Sequence, residues 1–324
     1  MEIVRKKPTL LVTRKYPAAI EQRLKADYDA RLNPDDTAYD RDTLIAGAEG
    51  ADGMLVTLTD RLSADVINAL PDCVRIIATF SVGFEHIDVE AARARGIVVT
   101  NTPDVLTDAT ADIALLLMLG AARRAAEGVA MIRDGTWGRW SPGGFLGTDV
   151  RGKRLGIYGM GRIGQAVAHR ARAFGLEIHY HARRRLPAEL EQDAVYHPSA
   201  EGLLKVSDIL SINAAATPDT HHFLNRERIE LLPANAIVIN TARGSLVDEE
   251  ALIDALRSGR LGAAGLDVYD NEPNINPAFR DLPTAFLLPH LGSATTETRA
   301  AMGFCALDNL DAFFAGQTPP NAVG

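Results

Sequence analysis

Three side chains in the final third of the chain are of the types that hold an anion and move a proton: Arg243, Glu272 and His290. Arg243 stands in Asn240-Thr241-Ala242-Arg243-Gly244, and a guanidinium beside a glycine offers a planar fork that matches a carboxylate. His290 stands in Pro289-His290-Leu291-Gly292-Ser293, where an imidazole in a rigid turn can exchange a proton with a reacting oxygen. Glu272 stands in Asp270-Asn271-Glu272-Pro273, and a carboxylate beside that imidazole would favour its charged form. Taken singly, each has a plain alternative: a salt-bridging arginine, a surface acid, a histidine bonded to a backbone carbonyl. Position gives them weight. They follow short apolar segments, 236–239, 262–266 and 285–288, that read as parallel strands. Doubly wound sheets bind their ligands just past the carboxyl ends of such strands.

Upstream lies Gly159-Met160-Gly161-Arg162-Ile163-Gly164, preceded by an apolar segment at 154–158 and followed by an Ala-rich helical pattern to Phe174. A GxGxxG alone is weak, but between a strand and a helix it reads as the first turn of a dinucleotide-binding unit. Gly159 permits the turn, Gly161 lets a pyrophosphate approach the backbone, and Gly164 lets helix and strand pack closely. The helix start then presents unpaired N–H groups to phosphate. The next strand, 177–181, runs into Ala182-Arg183-Arg184-Arg185. An NAD site places a carboxylate at that strand end for the ribose 2′-OH. Ala182 stands there instead, and three arginines follow, so the pattern favours the 2′-phosphate of NADP(H), with weaker use of NAD(H). The bland reading of the arginines is a solvated basic turn.

The elements that must position these groups form two α/β runs. The first has strands at 9–13, 53–57, 75–79 and 97–99, a helix over 18–28, another from Ser63 through Leu70, and a short helix capped by Asp88 and ended by Gly96. The second has strands at 154–158, 177–181, 208–212, 236–239, 262–266 and 285–288. Its helices start near Gly161, Ser199, Asn225 and Asp248. Between the runs, one helix is expected over 107–126, apolar all round and therefore buried in a core or, as the favoured reading, against a second subunit. A final helix over 295–315 closes the pattern, and 318–321 reads as a loose tail. In the first run, Ser81-Val82-Gly83-Phe84-Glu85-His86-Ile87-Asp88 follows the third strand and offers backbone N–H groups to an oxyanion.

The 324 residues suit about two domains. A net charge of −8 argues against a nucleic-acid or membrane-surface partner, and the basic run at 183–185 is local enough for a small anion. Cys73 and Cys305 match no metal-ligand spacing, so no metal is expected. The amino terminus lacks a signal-peptide core, and the apolar run at 113–120 is too short to span a bilayer; the expected location is cytoplasmic.

Taken together, the motifs at 81–88, 159–164, 240–244, 271–273 and 289–293 resemble the D-2-hydroxyacid dehydrogenase family over essentially the whole chain. Trp140-Ser141-Pro142 and Tyr180-His181-Ala182-Arg183 are similar to its glyoxylate/hydroxypyruvate reductase branch. The resemblance implies an α/β fold of two Rossmann-like or flavodoxin-like parallel-sheet domains. A split substrate domain (1–102 and 288–324) would surround an inserted NADP-binding domain (103–287). It implies Arg243, Glu272 and His290 as the catalytic set, with substrate held by Val82, Gly83, Leu58, Arg243, His290 and Trp140. It implies cofactor contacts from 159–164 (Met160, Arg162 and Ile163 included), Ala182, Arg183, Arg184, Arg185, Thr110, Ala214, Ala215, Thr220, Thr241, Ala242, Asp267 and Gly292. It further implies a homodimer joined through the helix after Pro103, acting on a small keto or hydroxy acid. The expected reaction is NADPH-dependent reduction of glyoxylate to glycolate and of hydroxypyruvate to D-glycerate. A D-lactate-type or phosphite-type dehydrogenase keeps the same residues, and a dinucleotide-sensing corepressor shares the fold. Glutamine replaces Glu272 in formate dehydrogenases of this fold, which argues against formate.

Overall fold

A computed structural model describes residues 7–324. The chain begins with β1 (Thr9–Val12), α1 (Ala18–Asp27), β2 (Asp29–Arg31), α2 (Arg41–Gly47), β3 (Gly53–Val56), α3 (Ala64–Ala69), β4 (Ile76–Thr79), α4 (Val89–Ala94) and β5 (Val98–Thr100). It continues with α5 (Thr107–Ala122), α6 (Ala125–Arg133), β6 (Arg154–Tyr158), α7 (Arg162–Ala173), β7 (Glu177–His181), α8 (Ala188–Glu191), β8 (Val195–Tyr196), α9 (Ala200–Leu204) and β9 (Ile209–Ile212). Then follow α10 (Arg226–Ile229), β10 (Ala236–Asn240), α11 (Glu249–Arg257), β11 (Leu261–Leu266), β12 (Ala285–Leu287), α12 (Thr296–Phe314) and β13 (Ala322–Val323).

Two compact units result, Met1–Leu106 with Thr295–Gly324, and Thr107–Ala294. The first holds a sheet of order β13-β5-β4-β3-β1-β2, parallel except for β13. The second holds a fully parallel sheet of order β12-β11-β10-β9-β6-β7-β8, so the chain reverses direction across the sheet between β6 and β9. That reversal leaves a crevice at the carboxyl edge, where a parallel sheet receives a dinucleotide. β1, β3, β4, β9 and β10 are buried along their whole length, because helices cover both faces of each sheet; their sequences are accordingly mostly apolar, as in Ile237-Val238-Ile239.

The units divide after Leu106 and Ala294 rather than after 102 and 287. The segment following β12 stays with the second sheet through its backbone. Leu288 N–H donates to Leu266 O at 2.8 Å, His290 N–H to Asp267 O at 2.8 Å, and Thr110 Oγ1 to Gly292 O at 3.1 Å.

Two expectations need correction, the end of one helix and the state of the tail. The helix expected over 107–126 stops at Ala122, Arg124 turns left-handed (φ 55°), and α6 begins at Ala125. The Ala122 carbonyl accepts Thr148 N–H at 2.7 Å, while Arg124 pairs with Glu127 at 2.7 Å and lies over the Phe145 ring. Most of α5 is also buried within its own unit, against α7 and β10–β12, where Leu117 touches Gly265; Leu116 remains 47% exposed. Lastly, the terminal tail is docked. Asn321 N–H donates to Asn309 Oδ1 at 3.0 Å, Asn101 N–H donates to Asn321 O at 3.2 Å, and β13 pairs with β5. The short edge strands β2 and β8 and the helix α2, capped by Asp40, carry no periodic pattern long enough to read in advance.

Candidate active site

The loops after β10, β11 and β12 carry Arg243, Glu272 and His290 within one unit. Asn240, fully buried at the end of β10, clamps the first loop: its Nδ2 donates to Arg243 O at 2.8 Å and its Oδ1 accepts Ala242 N–H at 3.0 Å. Gly244 lets this loop lie against the next one. A Cβ there would stand 1.8 Å from Tyr269 C and 2.1 Å from Asp270 N, so only glycine permits the approach. The same close packing brings the Arg243 charge to bear on Glu272.

His290 Nδ1 donates to Glu272 Oε2 at 2.7 Å, and Tyr269 N–H donates to Glu272 Oε1 at 2.8 Å. Asp267, 1% exposed, fixes the imidazole's loop: its two oxygens accept Leu291 N–H at 2.6 Å and Gly292 N–H at 2.7 Å. Burial pushes the Glu272 carboxyl up, but the hydrogen bond to His290, the imidazole charge, Tyr269 N–H and Arg243 outweigh it, and its net pKa is lowered. Asp267 goes the other way, because burial outweighs its two backbone donors. A cavity of about 310 Å³ lies against the Glu272–His290 pair, lined also by Tyr269, Ile275, Arg280 and Leu287.

The glycine turn at the start of α7 is built as its spacing suggests. Gly159 has φ 97°, and a Cβ there would stand 2.6 Å from Ala214 N. A Cβ on Gly164 would stand 2.3 Å from Gly159 O. Gly161 differs: a Cβ would meet nothing within 4 Å, and its φ of −75° suits any residue. Protein packing therefore does not require glycine at 161, whereas a ligand pressed against the backbone would. Gly161 also caps α7 with no side chain of its own. Nearby, Asn213 Oδ1 and Thr241 Oγ1, just past β9 and β10, are buried with no hydrogen-bond partner among the described residues. Buried polar atoms without partners are rare and point to an external one.

The family described as D-isomer specific 2-hydroxyacid dehydrogenase, NAD binding domain, matches residues 115–292. A glycerate dehydrogenase from Hyphomicrobium methylovorum is 45% identical over 312 residues, covering 96% of this chain and 97% of that protein. A glyoxylate reductase from Thermococcus litoralis is 42% identical over 321 residues, covering 98% and 97%. The crystal structure of an NADPH-dependent glyoxylate/hydroxypyruvate reductase from Sinorhizobium meliloti, with NADP and malonate, superposes with a TM-score of 0.88 at 35% identity, covering 98% of this chain and 97% of that one. The chain belongs to the D-2-hydroxyacid dehydrogenase family, in its glyoxylate reductase branch.

A nicotinamide dinucleotide is the cofactor class of this family, and the turn at 159–164 with its two orphaned polar atoms fits such a group. In this dehydrogenase, Gly161→Ala is expected to leave the melting temperature within about 2 °C while raising the dinucleotide Kd about tenfold, read by thermal melts and fluorescence titration. Equal binding by the variant would show that no phosphate approaches this backbone.

Other expected cofactor residues are variously placed. Met160 is buried, while Gly161 and Arg162 are exposed at the turn beside half-buried Ile163. Ala214 packs against the core and Ala215 is exposed. The hydroxyls of Thr220 and Thr110 are engaged locally, Thr220 with Ala215 O and Thr217 N–H, Thr110 with Gly292 O. Half-buried Ala182 packs against the core, and no carboxylate stands at that strand end. Arg183 and Arg184 are exposed and make no hydrogen bond or ion pair among the described residues. Arg185 departs from expectation, since its guanidinium is committed to Glu191 at 2.8 Å. Sequence reasoning missed Asn213, whose signal was its place one residue past a buried strand.

In the other unit, Ser81 Oγ donates to Gly83 O at 2.6 Å and Asn101 Nδ2 to Val82 O at 2.8 Å. These bonds hold the carbonyls, and the Val82 and Gly83 N–H groups find no acceptor among the described residues. Leu58 is exposed on a turn pinned by buried Asp60, which accepts Thr57 N–H at 2.8 Å. Trp140 is 81% exposed. No group of three or more His, Cys, Asp or Glu side chains that could hold a metal occurs among the described residues, and none of their helices is long and apolar enough to cross a membrane.

Proposed function

We propose that the chain reduces small 2-keto acids with NADPH, glyoxylate to glycolate and hydroxypyruvate to D-glycerate, with His290 as proton donor. The 2.7 Å bond from His290 Nδ1 to an ionised Glu272 carries the reading. It commits one ring nitrogen and orients the ring, leaving Nε2 to deliver a proton to the substrate oxygen as charge develops there. Arg243 binds the substrate carboxylate and polarises the carbonyl. In the first unit by itself, the N–H groups of Val82 and Gly83 suit an oxyanion. When bound, reduced nicotinamide supplies the hydride. Arg183 and Arg184 support the 2′-phosphate form, as does the NADPH-dependent relative.

Initial rates with NADPH and NADH on glyoxylate, hydroxypyruvate and pyruvate, and with NADP⁺ on phosphite, test this. Faster reduction of the first two acids with NADPH supports the reading; phosphite oxidation without keto-acid reduction overturns it. Arg183→Asp should move the preference toward NADH.

The pH profile should follow the dyad. Because the Glu272 pKa is lowered, the carboxylate persists below its ordinary range; its stabilisation is present above the unfolded value and lost as pH falls through the lowered one. Reduction should therefore hold its acid-side plateau below the usual carboxylate range and be lost only as pH falls through the lowered Glu272 value. Glu272→Gln should abolish that acid limb in a kcat/KM profile, because the titrating carboxylate is gone. An unmoved profile would remove Glu272 from the mechanism.

A homodimer completes the proposal. Leu116, Val129, Ile132, Trp137, Phe145 and Leu146 are exposed on and after α5, an apolar surface suited to a second copy. Light scattering should give twice the 34.9 kDa chain mass; a monomer at micromolar concentration would refute this.

A further inference from the structure

The loop that follows β7 is held from beneath by a buried carboxylate. Glu191 is only 6% exposed, and such a group needs partners. Arg185 Nε donates to its Oε1 at 3.0 Å and its Oε2 at 3.1 Å, and Arg185 Nη2 donates to Oε2 at 2.8 Å. Tyr180, fully buried within β7, donates its hydroxyl to Glu191 Oε1 at 2.7 Å. The same hydroxyl accepts Leu186 N–H at 3.0 Å, and Arg185 lies over the Tyr196 ring at 5.7 Å. The Arg185 guanidinium, then the Tyr180 hydroxyl, holds the Glu191 carboxyl below its ordinary range.

The far end of the 182–186 loop is thus tied back to the strand it leaves, by way of Tyr180, Glu191 and Arg185. Between the tied ends, Arg183 and Arg184 remain exposed and unpaired among the described residues. We infer that Arg185, Glu191 and Tyr180 form a positioning clamp that pre-orders this loop, so that Arg183 and Arg184 meet the cofactor's 2′-phosphate while Arg185 does not. The inference rests on the NADPH reading above. Its physical basis is preorganisation: a loop already ordered gives up less conformational freedom when the anion binds. The rival arrangement has Arg185 leaving Glu191 to bind the phosphate itself.

The two differ in sign. If the clamp acts, Glu191→Gln and Arg185→Ala each raise KM for NADPH about fivefold, leave kcat and KM for NADH nearly unmoved, and together do little more than either alone. Tyr180→Phe gives a smaller shift in the same direction, and Arg185→Lys restores part of the loss. If Arg185 grips the phosphate, Arg185→Ala weakens NADPH but Glu191→Gln releases the guanidinium and lowers KM for NADPH, which overturns the clamp. Should Glu191→Gln fail to fold, Arg185→Ala and Tyr180→Phe decide: Arg185 is a surface side chain, and the rival predicts no effect from Tyr180. Unchanged NADPH preference in both also overturns the clamp. A wild-type enzyme that prefers NADH sinks the NADPH reading and the clamp with it. A wild-type preference for NADPH with unresponsive variants sinks the clamp alone.

Discussion

Replacing His290 with asparagine is expected to leave a folded protein that still binds dinucleotide and has lost about 10² to 10⁴ of its turnover, or about 3–5 kcal/mol of transition-state stabilisation. Asparagine is the informative choice because position 290 is left-handed (φ 55°), a conformation that asparagine tolerates better than most residues. The backbone bond from residue 290 to Asp267 O would survive, so the loop should keep its place. The amide cannot donate a mobile proton, so the loss should fall on kcat, with dinucleotide Kd nearly unchanged. A variant that turns over within a factor of a few of the wild type would end the proton-donor assignment.

Arg243→Ala should cost about 10² to 10³ in kcat/KM, because an anchoring charge and a polarising donor disappear together. Arg243→Lys keeps the charge but loses the fork and should recover only about tenfold of that. A second effect separates Arg243 from an ordinary surface cation. Its charge helps hold the Glu272 pKa low, so its removal should move the acid limb of the reduction profile to higher pH. Steady-state kinetics across pH reads both effects. Loss of activity with an unmoved acid limb would mean that Arg243 acts on substrate alone.

Much of the second unit was legible in advance because its signals are local. A strand buried on both faces must be apolar without alternation, so 236–239 stood out and β10 falls there, whereas 177–181 alternates and β7 buries only Ile178 and Tyr180. Helix starts were readable from Ser199, Asn225 and Asp248, each of which accepts a backbone N–H of its own first turn. The end of α5 was not, because the group that takes the Ala122 carbonyl comes from Thr148, outside any local window. The docked tail was hidden for the same reason: its order comes from Asn309 and from pairing with β5.

The sequence by itself determined the kinds of groups available: a glycine turn that admits phosphate, a strand end with arginines in place of an acid, and a cation, a carboxylate and an imidazole, each beyond a strand. These depend on residue type and short spacing, which the chain carries locally. Only the tertiary structure decided which groups meet. Gly244 lets one loop lie on another and so brings Arg243 to bear on Glu272, and the return of the chain after β12 sets His290 at 2.7 Å from the same carboxylate. It likewise drew one arginine of three, Arg185, onto a buried acid. Distances of this kind arise from packing between remote segments, where a charge finds its lowest free energy among neighbours that its own stretch of chain does not name.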